Sequence, residues 1–230
     1  IGEKPALGPW KSFLELRRKA TKEVHIGLVG KYDLQDAYKS IRESLYQAGT
    51  YNNYKTVLTF INSEKLTKEN VAEKLSGQDG IIICPGFGQR GIEGKIIAAH
   101  YTRTHDIPTF GICLGMQMMV IEFARNVLGY EDANSREMDE KTEHNVIDIM
   151  EEQKNITNMG GTMRLGAYEC VLKQKSRVLD IYKQEHIQER HRHRYEVNNN
   201  LLPQIEKAGL KVTGLSADRK LVEIIEVPNH

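Results

Sequence analysis

The stretch Thr109-Phe110-Gly111-Ile112-Cys113-Leu114-Gly115-Met116-Gln117 holds a cysteine between two glycines, after an apolar lead-in and before a helix-like run. A chain that turns so sharply from strand to helix crowds its own backbone, and only small neighbours fit beside the turn. The feature therefore asks for a βα unit with the cysteine lifted clear at the strand's carboxyl end, the layout of a nucleophile elbow. The positive end of the following helix favours a thiolate at that point. A strand-to-helix turn around an inert buried thiol satisfies the same spacing, because free cysteine is among the most buried residue types.

The surrounding pattern supplies the rest of such a fold. Residues 24–29 form an apolar run ending at Gly30, and 36–48 carry helical spacing through Ala37, Ile41, Leu45 and Ala48. Residues 56–61 are β-branched and aromatic. The run Gly-Ile-Ile-Ile-Cys at 80–84 is continuously apolar, as in a parallel strand covered on both faces. A helix is predicted over 92–104, a strand over 109–112 and a helix over 114–126. This βαβα order predicts an α/β fold, a doubly wound, mainly parallel sheet with flanking helices, whose site lies at the strands' carboxyl ends. Cys113 and the turn Cys84-Pro85-Gly86-Phe87-Gly88 both fall on that edge.

Beyond Gly129 the pattern loosens. Residues 131–154 are polar and charged and read for the most part as a solvated excursion. A glycine-flanked turn, Gly160 to Gly166, leads into a strand over 167–172. The run Glu-Arg-His-Arg-His-Arg-Tyr-Glu-Val at 189–197 reads as a strand that puts Arg190, Arg192 and Arg194 on one face and His191 and His193 on the other. Three adjacent like charges ask for an anion or carboxylates, unless the strand is a solvated basic edge. A helix over 201–208 and a hairpin of 211–215 with 221–227 close the pattern.

Composition narrows the setting. The chain of 230 residues is of a size for one α/β domain. Its 32 Lys and Arg balance 31 Asp and Glu, which argues against a nucleic-acid-binding surface, so any anion site is local. Cys84, Cys113 and Cys170 show neither a paired framework nor metal-ligand spacing, and suit free thiols in a reducing cytoplasm. No apolar run approaches the roughly 20 residues that span a bilayer, so no membrane contact is expected. The first residue, Ile1, is not an initiator methionine, which reads as a fragment of a longer protein. Neither a G-x-x-x-x-G-K-[ST] phosphate loop nor G-x-G-x-x-G is present. The amides around Gly86 are better suited to a developing oxyanion near the thiol.

The string Gly111-Ile112-Cys113-Leu114-Gly115-Met116-Gln117 resembles the nucleophile motif of class I (triad) glutamine amidotransferases. Gly30-Lys31-Tyr32, the Cys84 to Gly91 loop, Gly160 to Gly166, Glu189 to Asn198 and Leu221-Val222-Glu223-Ile224-Ile225-Glu226 together resemble the glutaminase domain of the CTP synthase family. That likeness implies residues 1–22 as an interdomain linker segment, with Trp10, Phe13, Leu14 and Leu16, and 23–230 as a glutaminase domain lacking its C-terminal end. It implies Cys113 as the nucleophile toward L-glutamine, and Gly86 and Leu114 as oxyanion donors. Gly86 and Leu114, Gly115, Met116 and Gln117 would line the glutamine pocket, Glu137 would take the α-amino group and Arg194 the α-carboxylate. Phe87 and Arg164 would lie where GTP acts as an allosteric effector. No cofactor is implied here; ATP and Mg belong to a preceding amidoligase domain, with a homotetramer as the full-length assembly.

The same family takes its general base and orienting carboxylate from a His-Pro-Glu stretch that follows Val-Pro-Asn-His, and the 230 residues contain no His-Pro-Glu. A protein ending at His230 is therefore expected to lose nearly all glutamine hydrolysis, since general-base catalysis contributes about 10²–10⁴ in rate. Strand alternation turns His191 and His193 away from the cleft, and His230 is terminal. His25, His100, His105, His144 and His186 sit singly in structural or solvated contexts, and no metal is expected. The elbow alone also suits a cysteine peptidase or a γ-glutamyl hydrolase, and the fold alone a non-catalytic glutamine-binding module.

Overall fold

The computed structural model describes residues 6–32, 37–149 and 164–228. Asp36, the charged residues 150–154, the turn residues 160–163 and His230 lie outside the described residues. Strands β1 (Lys22–Gly30), β2 (Tyr54–Asn62), β3 (Gly80–Ile83) and β4 (Thr109–Gly111) form a parallel sheet in the order β2-β1-β3-β4. Alternation along these strands covers both faces. Leu28 and Ile82 pack with Ile41 and Leu45 of α2 (Lys39–Tyr51). Val29, Ile81 and Ile83 pack instead with Val71 and Leu75 from α3 (Val71–Lys74) and its end, and with Ala98 and Ala99 of α4 (Ile92–Thr104). This is the doubly wound arrangement that the sequence pattern predicts.

The helix after the elbow, α5 (Leu114–Asn126), carries the largest core. Met118, Val120 and Ile121 are fully buried, each worth about 1.5–3 kcal/mol of transfer free energy. They pack against a second, smaller unit rather than solvent. Strands β5 (Asn134–Ser135), β6 (Asn145–Ile149) and β9 (Tyr195–Val197) form a three-stranded sheet in that order. A further sheet runs β11-β10-β7-β8, from β7 (Arg164–Leu172), β8 (His186–His193), β10 (Lys211–Ser216) and β11 (Val222–Glu226). Its neighbours all pair antiparallel. Helices α6 (Arg177–Tyr182) and α7 (Leu202–Lys207) complete this half.

Residues 131–149 depart from the solvated excursion expected of them. Ala133, Ser135, Val146 and Ile147 are fully buried and Met138 nearly so. Ala133, Met138, Val146 and Ile147 of this charged stretch join the core around α5, while most of its charged residues stay exposed. At the amino end, α1 (Gly8–Lys19) buries no residue completely. It leans on α2 through Trp10 stacked on Phe13, with 5.6 Å between centroids, and Phe13 tilted against Tyr51 at 5.7 Å. No helix among the described residues is long and apolar enough to cross a membrane.

Candidate active site

The elbow is built from close backbone approaches. Cys113 sits at φ 55°, ψ −111°, in a region that L-residues seldom enter, and caps the start of α5. Ile112 N donates to Ile83 O at 3.0 Å, which ties the turn to β3. The flanking glycines are needed for space. A Cβ on Gly115 would fall 2.0 Å from Ile83 O, and one on Gly111 would fall 2.7 Å from the backbone C of Gly115. The thiol is consequently held still by backbone packing, at intermediate exposure.

Facing it is the turn that follows β3. Lys95 of α4 is completely buried, and its Nζ donates to Cys84 O at 2.5 Å and reaches Pro85 O at 3.5 Å. Lys31, also buried, donates from Nζ to Phe87 O and to Gly88 O, the latter at 3.1 Å. The carbonyls of this turn are thus gathered on the side of two lysines. Gly86 comes against the start of α5, where a Cβ on it would lie 3.5 Å from Leu114 Cδ2. Neither lysine was singled out chemically from sequence. A signal for Lys95 exists, because it lies in the apolar stripe of Ile92, Ile96 and Ala99, where a charge is out of pattern.

Gly86, Phe87, Cys113, Gln117, Glu137, His193, Arg194 and Tyr195 enclose a cleft of about 120 Å³. Five of these, Gly86, Cys113, Gln117, Glu137 and Arg194, are the glutamine-site residues that the resemblance implies; Phe87 is expected only as an effector contact, His193 is expected to face away, and Tyr195 is not singled out. Glu137 Oε1 accepts from Gly88 N at 3.0 Å, and Gln89 Nε2 donates to Met138 O at 2.7 Å, so the segment after β5 is fastened to the Gly86 turn. Gln117 Nε2 donates to Tyr195 O at 3.0 Å and joins α5 to β9. The cleft therefore presents one carboxylate and one guanidinium around a thiol, a fit for a small zwitterion. The side chain of Leu114 belongs to the core, Met116 packs against that core, and Gly115 abuts β3. None of the three is among the residues that enclose the cleft.

The arginine strand corrects the expected alternation. Arg190 and Arg192 are exposed on one face, as predicted. Regular pairing ends at His193, however, and Arg194 stands between β8 and β9, so His193 and Arg194 both turn to the cleft. Behind them lies a buried ion cluster. Arg164 Nη1 is 2.5 Å from Glu223 Oε1 and 3.5 Å from Glu196 Oε1. His191 Nε2 is 3.5 Å from Glu223 Oε2, and His193 Nδ1 is 3.2 Å from Glu196 Oε1. His191 Nδ1 and His193 Nε2 share a hydrogen bond of 2.7 Å. Both ring nitrogens of His193 are thus turned to His191 and Glu196, and the ring is not aimed at the thiol as a base.

Electrostatics here follow from burial. Burial first, with Arg164 adding to it, lowers His191 to about 4; burial, then His191 and Arg164, lowers His193 to about 4, so both rings are neutral. Burial and the neighbouring charge of Glu223 push Glu196 up to about 8. The Cys113 thiol is raised, chiefly by burial. The Leu114 amide and Lys95 favour its thiolate, whereas Glu196 and Glu137 oppose it. The thiolate bias expected from the helix terminus is therefore present but outweighed. No group of three His, Cys, Asp or Glu side chains among the described residues has metal-holding geometry. A larger groove, about 690 Å³, lies away from the thiol between α4, α5 and β11. Its floor includes Glu122, already paired by Arg103 at 2.8 Å.

Comparison with known proteins places the chain in a family. The family described as Glutamine amidotransferase class-I matches residues 33–230. The chain belongs to the class-I glutamine amidotransferases. Among curated members, CTP synthase of Bacteroides thetaiotaomicron is 70% identical over 230 residues, covering 99% of this chain and 43% of that protein. CTP synthase of Porphyromonas gingivalis is 54% identical over 229 residues, with 99% and 42% covered. The chain thus spans somewhat under half the length of these relatives. Among solved structures, the glutaminase domain of Trypanosoma brucei CTPS with bound acivicin superposes with a TM-score of 0.83 at 38% identity. That match covers 89% of this amidotransferase chain and 81% of the other.

Proposed function

We propose that this chain hydrolyses L-glutamine at Cys113 and delivers ammonia to a CTP synthase reaction. The observation that carries the reading is the elbow thiol opposite the Gly86 turn, in a cleft that offers Glu137 and Arg194 to the two charges of an amino acid. Cys113 as thiolate attacks the side-chain amide carbon, and the amides of Gly86 and Leu114 receive the oxyanion. Collapse expels ammonia and leaves a γ-glutamyl thioester. Water then releases glutamate and restores the thiol. Glu137 takes the α-ammonium and Arg194 the α-carboxylate. Protonation of the leaving nitrogen calls for an acid–base partner in the position of the family's His-Pro-Glu stretch, since His193 is turned elsewhere. The likeness to a glutaminase domain holding acivicin, a glutamine analogue, supports this assignment.

In the wider protein we assign residues 1–22 to an interdomain linker and 23–230 to the glutaminase domain. Ammonia passes to an amidoligase domain where ATP, with Mg, activates UTP for conversion to CTP. The assembly is a cytoplasmic homotetramer, with GTP as effector at Phe87. Phe87 supports this last point because it is exposed, with the Arg192 guanidinium 5.7 Å from its ring centroid. Arg164 lends it no support, since its guanidinium is buried, engaged by Glu223 and Glu196, and lies 4.3 Å from the Tyr168 ring. A diazo-ketone glutamine analogue tests the core claim. Stoichiometric labelling of Cys113, blocked by glutamine and lost in Cys113→Ser, is expected. Labelling elsewhere, or protection by peptides but not by glutamine, overturns it.

A further inference from the structure

Lys95 is a fully buried ammonium whose partners are the carbonyls of Cys84 and Pro85. No carboxylate pairs with it among the described residues. Burying an unpaired ammonium is costly, so a lysine in the apolar stripe of α4 calls for a reason. The reason lies in the peptide that it touches. No peptide bond among the described residues is cis, so Pro85 C=O and Gly86 N–H point in opposite directions across one planar unit. With the carbonyl drawn to Lys95 on the α4 side, the amide of Gly86 is turned away from α4, and Gly86 lines the cleft that holds Cys113.

We propose that Lys95 is a positioning residue of the oxyanion hole: its ammonium fixes the Pro85–Gly86 peptide with the N–H toward the cleft. This rests on the glutaminase reading of Cys113 and adds to it a residue that touches no substrate. Fixing both carbonyls from below also polarises the peptide, which strengthens its N–H as a donor. Burial lowers the ammonium to about 8; the Cys84 thiol counters this, the charge of Lys31 adds to it, and the Cys113 thiol counters it. The same influence is felt at Cys113, where Lys95 favours the thiolate. Lys31 braces the carbonyls of Phe87 and Gly88 further along the turn, so the loop is held on both sides of Gly86.

Lys95→Met keeps the length and packing of the side chain and removes the charge and the donor. In the full-length protein, kcat for ammonia release from glutamine is expected to fall about tenfold or more, part of the 10²–10³ that a missing oxyanion donor costs. KM is expected to stay within threefold, because Glu137 and Arg194 are untouched. The pH midpoint for iodoacetamide alkylation of Cys113 is expected to rise. Should Lys95→Met fail to fold, Lys95→Gln, which keeps an N–H donor without the charge, is expected to lose at least fivefold in kcat and to show the same rise. A folded variant with kcat within twofold of wild type and an unmoved alkylation midpoint overturns the proposal, as does an equal loss through KM. If the wild-type protein releases no ammonia from glutamine, the glutaminase reading fails. The alkylation midpoint then decides the role of Lys95 by itself.

Discussion

Gly115→Ala is the sharpest test of how the elbow works. The added Cβ would fall 2.0 Å from the carbonyl oxygen of Ile83 and 2.8 Å from its carbon, both backbone atoms of the central strand β3. Ordinary contact begins near 3.4 Å, so β3 and the start of α5 must separate by about 1.4 Å. Overpacking typically costs about 1–3 kcal/mol, and a backbone collision belongs at the upper end, about 3. Alanine in place of glycine in a helix returns up to about 1 kcal/mol. The net loss is therefore about 2 kcal/mol, or about 4–8 °C in Tm for a chain of this size. Catalysis should suffer more, because moving the start of α5 moves Cys113 against the Gly86 turn. A displacement of 1 Å in a reacting group costs roughly 10²-fold. Thermal unfolding and ammonia release from glutamine would be measured together, with Gly129→Ala alongside. Gly129 has φ +77° and open space around it, so its variant carries backbone strain of about 1–2 kcal/mol without touching the site. A Gly115→Ala protein that melts within 2 °C of wild type and keeps kcat within threefold would refute the argument that backbone crowding positions the thiol.

Arg194→Met should raise KM for glutamine about 10–100-fold with a smaller change in kcat, since a hydrogen-bonded charge pair is worth about 1.5–3 kcal/mol; an unchanged KM removes Arg194 from the pocket. Glu122→Ala strips the bidentate partner from Arg103, which borders the larger groove, and should cost about 1–3 kcal/mol by urea titration, and an unchanged urea midpoint contradicts that accounting. Glu196, at about 8 when folded against 4.5 when free, holds its proton more tightly in the folded state, so stability falls as pH rises from about 4.5 to about 8. His191 and His193, near 4, act in the opposite sense up to pH 6.5, which leaves pH 6.5–8 as the window where the Glu196 slope stands clear of theirs. The urea midpoint of the wild type should drop across that window more steeply than that of Glu196→Gln, and parallel curves count against the buried carboxyl.

How much of this was legible in the sequence depended on whether a residue's environment is local. The helices 92–104 and 114–126 are found as read, because apolar spacing and the glycines at their starts are properties of the segment itself. Gly111 and Gly115 were legible for the same reason: an elbow is a local turn, and its crowding follows from a few consecutive residues. Residues 131–149 were not, since Ala133, Met138, Val146 and Ile147 are buried by α5, a partner that charge content does not reveal. The arginine strand failed one residue from its end. Strict alternation holds through His193, where β7 pairs it with Arg164, and then gives way because Glu196 is buried with Arg164 while Val197 enters the main core. Arg164 cannot be matched to Glu196, Glu223 and two histidines from order along the chain, because these groups come from β7, β8, β9 and β11 and meet only in the folded protein. That cluster also accounts for the position of Arg194. With His191 packed beside Glu223 and His193 turned into the cleft wall beside Glu196, the break in the strand sets the next guanidinium in the cleft as well, rather than in solvent beside Arg190 and Arg192. A charge that alternation assigns to the face of Arg190 and Arg192 is thereby delivered to the cleft that Cys113 and Glu137 also line.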